Sequence, residues 1–173
     1  MDAALAEESL YHVAIERVPE SRTLHNNKVV DLLAIGSEMV RGEILYRQAK
    51  YDEAYVALRR AISLEDGLPY DEPWGWMQPV RHALGALLLE QGHTDEAEMV
   101  FREDLGLGGQ LARATVHPDN VWALKGLHDC LKARGETVEI VQVRQRLDLA
   151  QARSDGPIAA SCFCAQAATR TVE

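Results

Sequence analysis

YDEAYVALRRAISLE at residues 51–65 and TDEAEMVFREDL at residues 94–105 are two versions of one pattern, and that pattern decides the fold. Each sets an Asp-Glu pair before an alanine (Ala54, Ala97), with a bulky apolar residue (Leu58, Phe101) four positions later. Residues four apart share a helix face, so a small and a large side chain point the same way. Upstream of each lies an apolar stretch with its own glycine, Gly42 or Gly85, followed by a polar turn. Two helices whose small residues allow close approach, joined by a short polar turn, make an αα-hairpin.

Working outward, three segments align, at about residues 35–65, 78–105 and 119–150. The third carries Trp122, Gly126 and Gly135 but is more divergent: the expected alanine gives way to Val138 or Glu139. This pattern resembles the tetratricopeptide repeat, strongly in the first two segments and weakly in the third. The phrase LEDGLPYDEPWGWMQPVRHALGALLLEQG with the terminal SCFC is similar to the C-terminal part of longer tetratricopeptide proteins, so further hairpins are expected to precede Met1 in the natural protein. The resemblance implies an all-α stack of about seven to eight antiparallel helices. It also implies a concave groove, lined by first helices, that holds peptides or other partners.

Ala54 and Ala97 lie 43 positions apart and Gly85 and Gly126 lie 41, against about 34 in the ordinary repeat. Two connections, residues 66–77 and 106–118, are therefore extended, and long connections are where function concentrates. The expected organisation is N-terminal helices over residues 1–34, hairpins over 35–152 and a tail over 153–173. A first helix is predicted over about residues 3–18, ended by Pro19, and a second after Asn26 and Asn27, which can cap it. No alternating apolar and polar run predicts a sheet.

The formal net charge of −9 makes nucleic acid and anionic lipid unlikely partners. Apolar residues at 47% and charged residues at 26% fit a folded chain that needs no metal or disulfide. The opening MDAALAEESL lacks the basic start and apolar core of a secretory signal, and Cys130, Cys162 and Cys164 are too few and odd in number for a disulfide framework, so a cytoplasmic protein is expected. The longest apolar run, residues 83–89, is too short to span a bilayer.

Candidate ligand-binding residues follow from the groove and the linkers. The first linker gathers Tyr70, Asp71, Glu72, Trp74 and Trp76 between prolines, with Arg81 and His82 following close enough to pair with the acids. This is either a lid whose aromatics plug the stack or an aromatic and acidic wall. Repeat geometry brings Glu43, Tyr46 and Arg47 to the groove with His82 and Cys130, a mixed surface suited to a peptide or a small amphipathic ligand. In HPDN, residues 117–120, Asp119 or Asn120 is a natural cap for the helix that opens with Trp122, which leaves His117 as a further candidate.

An alternative reading takes Cys162 and Cys164, two apart, as presenting both sulfurs to copper or zinc, with Cys130 and His128 completing the set. His128 and Cys130 face different sides of one helix, which argues against their sharing an ion. No phosphate-cradling loop, nucleophile elbow or HExxH helix is present, so a binding scaffold is expected rather than an enzyme. An incomplete stack exposes apolar ends through which copies could pair.

Overall fold

A computed structural model describes residues 1–162 and Cys164, and among these the chain is all-α, with seven α-helices. They are α1 (Asp2–Ile15), α2 (Val29–Arg47), α3 (Tyr51–Asp66), α4 (Val80–Glu90), α5 (Thr94–Asp104), α6 (Val121–Ala133) and α7 (Glu139–Gln151). Unforeseen from the sequence is a minute antiparallel ribbon, β1 (Thr23–Leu24) with β2 (Asn27–Lys28), in the α1–α2 connection. At two residues per strand it has no room for the alternation that marks a strand. Among the described residues no helix is long and apolar enough to cross a membrane.

The chain forms two compact units, one of Met1–Val80 and one beginning at Arg81. In the first unit, α2 and α3 pack along one another and α1 packs on α2. The three-residue connection between α2 and α3 forces them antiparallel. Gly42 sets the spacing: a Cβ there would lie 2.7 Å from Leu58 Cγ and 3.3 Å from the Ala54 carbonyl oxygen. Any other residue would push the helices apart. The core is completed by Leu32, Ile35, Met39 and Ala61. The residue 34/35 boundary expected from the repeat falls inside α2, and α1 ends at Ile15, one turn before Pro19.

The second unit repeats the device. A Cβ on Gly85 of α4 would lie 2.5 Å from Phe101 Cζ, so the ring of α5 sits on the backbone of α4. Gly126 of α6 approaches the same ring more closely still, so Phe101 is clasped by two glycines. Leu84, Leu87, Leu88, Leu124, Leu127 and Leu131 close around it. α6 packs on α7 through a face that includes Val143 and Leu147. At one edge, Arg102 of α5 grips Glu139 of α7 with two parallel hydrogen bonds, 2.8 and 2.6 Å, and takes Glu98 at 2.8 Å. Bidentate charge pairing of this kind fixes both distance and orientation.

Four helix ends share one termination. After α2, α4, α5 and α6 the chain turns through a left-handed residue whose N–H, and that of the next residue, bond back to carbonyls of the last turn. Glycine occupies that position in three of them, Gly92, Gly106 and Gly135. After α2 it is Ala49, at φ 60°.

Candidate functional site

The first unit contains a cleft of about 610 Å³ where α1 lies on α2. Its walls are apolar: Ala4 and Tyr11 from α1, Met39, Val40 and Ile44 from α2, and Trp76 from the first linker. Three candidates chosen from sequence, Glu43, Arg47 and Trp76, line it. Gly36 makes room at its base, since a Cβ there would meet Tyr11 Oη at 2.5 Å and Trp76 Cη2 at 3.1 Å. Tyr11 is fixed by donating to the Leu33 carbonyl oxygen at 2.8 Å, and its burial raises the phenol's pKa.

The chemistry of the cleft centres on Glu43. Burial pushes its carboxyl above the usual range, and the Arg47 guanidinium one turn later pulls it partly back. Arg47 itself lies 5.6 Å from the centre of the Tyr46 ring, in cation–π contact.

The linker that carries Trp76 is held by two residues whose role was expected to be different. Asn26 and Asn27 do not cap α2, whose N-cap is Lys28 with no side-chain bond. Instead Asn27 Nδ2 and the Asn26 backbone N–H both donate to Asp71 Oδ2, at 3.1 and 3.2 Å, and Asn26 Nδ2 donates to the Tyr70 carbonyl at 3.0 Å. Gly75 admits the wholly buried Asn27, because a Cβ there would meet its amide at 2.6 Å. The far end is clasped by Glu65, which accepts from the Val80 N–H at 3.0 Å. Asp71 is thereby a buried strut rather than a ligand-facing acid. Tyr70, Glu72 and Trp74 are exposed, and a hydrogen bond from the Tyr70 hydroxyl to Glu72 raises the phenol's pKa.

Other expected groove residues are core residues. Tyr46 is 4% exposed and packs against Tyr51 and Tyr55, with ring centres 5.0 and 6.5 Å away. His82 is 5% exposed, and Cys130 is fully buried on α6 with its thiol pushed up to about 12 by desolvation. Tyr46 lies on α2, His82 on α4 and Cys130 on α6, and each is packed rather than open to a groove.

His82 belongs to a second constellation, in the second unit. Asp104, at the end of α5 and 1% exposed, takes His82 Nε2 on one oxygen at 3.0 Å and His117 Nδ1 on the other at 2.8 Å. The His117 backbone N–H also donates to the Asp104 carbonyl oxygen at 2.6 Å. Burial works to raise the Asp104 pKa, yet the two imidazoles outweigh it and the net direction is down. An ionised carboxylate only accepts, so each histidine presents a proton, His82 on Nε2 and His117 on Nδ1. The cluster closes the linker of residues 106–118 onto α4 and α5. Arg81 beside it pairs with Glu103, Nε to Oε2 at 3.4 Å. Asp104 was missed from sequence, since an acid ending FRED reads as a solvated helix terminus.

Asn120 caps α6 as expected, accepting from the Trp122 and Ala123 N–H groups at 2.9 and 3.4 Å, while Asp119 takes the left-handed position before it. Cys162 and Cys164 form a disulfide, which removes both thiolates from the copper or zinc set proposed with Cys130 and His128. Among the described residues no three His, Cys, Asp or Glu side chains gather as a metal site requires. A scan against protein-family models finds no match to this chain, and a search of curated proteins finds no significant match.

Proposed function

We propose that this chain is a non-catalytic, tetratricopeptide-type binding module that holds an apolar segment of a partner protein in the cleft between α1 and α2. One observation carries the reading: a cleft of about 610 Å³ walled by Tyr11, Met39, Val40, Ile44 and Trp76. That volume suits a few side chains of an amphipathic segment, the anchors by which helices dock in grooves. The other polar constellation, Asp104 with its two histidines, is enclosed and satisfied, which is how a structural lock is built.

The test is selection of peptides from a random library, followed by comparison with Val40→Arg, a change at a half-exposed cleft wall. Selected peptides are expected to bind with micromolar Kd and to lose at least about tenfold in affinity to the variant. Peptides that bind both proteins equally, or a library that yields none, reject the reading.

A further inference from the structure

Trp76 brings an unmet hydrogen bond to the cleft. Among the described residues three buried polar side-chain atoms have no hydrogen-bond partner, and of these only Trp76 Nε1 belongs to a side chain that lines the cleft. An indole N–H donates and never accepts, and a buried one ordinarily finds an acceptor. The neighbouring side chains do not supply it. The Tyr11 hydroxyl converges with the indole on Gly36, but its own bond runs to the Leu33 carbonyl oxygen. Gln78, two positions along the linker and also in the lining, leaves Nε1 unpaired as well. Charge gives no competing preference, because Glu7 and Glu43 are offset in the lining by Arg47 and the amino group of Met1. What the cleft lacks is an uncharged acceptor, which enters apolar walls at less cost than an ion does.

Resting on the binding reading above, we infer that the apolar segment held in the cleft carries an asparagine or glutamine among its anchors, whose side-chain carbonyl accepts from Trp76 Nε1. Inside a helical segment each main-chain carbonyl already accepts from the N–H four residues on, so the acceptor comes from a side chain. One wall of the cleft is α1, which has no buried residue of its own and therefore yields most readily to an inserted group. Because Nε1 gives up no bond to water when the amide arrives, the new bond is gained on the protein's side without one being lost.

The probes are library peptides selected for the cleft, meaning those whose binding is weakened by Val40→Arg. Each asparagine and glutamine in them is replaced in turn by leucine, an apolar residue of similar size. Binding is measured to the unaltered chain and to Trp76→3-benzothienylalanine, in which sulfur stands where the indole has its N–H and the shape is kept. One such leucine replacement is expected to weaken binding to the unaltered chain by about fivefold to tenfold, and to leave binding to the sulfur-bearing form unchanged. The Trp76 indole N–H resonance, identified by its loss in Trp76→Phe, should move downfield with the amide-bearing peptide and stay in place with its leucine form. Selected peptides that contain neither asparagine nor glutamine, a loss equal in both proteins, or a downfield move that persists with the leucine form would each overturn the amide acceptor and leave the cleft standing. Failure to select any peptide sensitive to Val40→Arg overturns the binding reading itself.

Discussion

At the scale of single residues, Asp104 shows how one buried acid organises its surroundings. Replacing it with Asn keeps the shape but not the chemistry. The amide oxygen accepts from one imidazole while the amide nitrogen confronts the N–H of the other, leaving a buried donor unpaired. Asp104→Asn is expected to lower stability by about 3 kcal/mol, read as the shift in urea midpoint at constant m value. The pH dependence follows from the direction of the shift. A carboxyl whose folded pKa lies below its ordinary 3.8 stabilises the fold fully above that value and loses the contribution as pH falls through the folded one. Stability should therefore drop below about pH 4, and Asp104→Asn should flatten the drop. Glu139, lowered by its hydrogen bonds to Arg102, acts with the same sign, so flattening is expected to be partial. An acid slope untouched by the substitution would show that Asp104 is not ionised in the fold.

Among elements, the shared helix termination offers a controlled comparison. Ala49 holds a left-handed conformation at φ 60° where Gly92 holds it at φ 80° in the next hairpin. An L side chain is strained there and glycine is not. Ala49→Gly is expected to stabilise the protein by about 0.5 to 1 kcal/mol, after the greater freedom of glycine in the unfolded chain is set against the relief. Gly92→Ala should destabilise by a similar amount, and since a Cβ at Gly92 meets nothing within 4 Å, sterics with neighbours do not confound it. Thermal or urea denaturation decides both, and a destabilising Ala49→Gly would show the strain to be absent. These elements were legible in the sequence because their signals are local. Gly42 with Leu58 and Gly85 with Phe101 could be paired from the repeat alone, and Asn120 could be named as a cap. Asn26 and Asn27 carried the same capping signature, yet Asp71, 44 positions from Asn27, claimed them for the linker. Asp104 was hidden for the same reason, its partners lying 22 and 13 positions away. Polar side chains are chemically promiscuous, and only the tertiary fold decides which of several available partners each one takes.

On the scale of the molecule, stability and the proposed binding surface meet at α1. This helix has no buried residue and packs chiefly on α2, with Leu10 62% exposed, whereas α5 buries Ala97, Glu98, Val100, Phe101 and Asp104. A helix that buries little can open without unfolding the unit beneath it, and binding elements are commonly drawn from this low-stability end. Hydrogen exchange should find α1 amides exchanging at least about a hundredfold faster than those of α5 and α6. Because Ala4, Glu7 and Tyr11 of α1 line the cleft, an occupant must also restrain the helix, in proportion to the logarithm of its concentration over Kd. A peptide selected for the cleft, at about 100 times its Kd, should slow α1 exchange by up to about a hundredfold and leave α5 unchanged. Protection of α1 equal to that of α5 in the free protein would mean that the cleft has a fixed wall, and with it that occupancy has no mobile element to order.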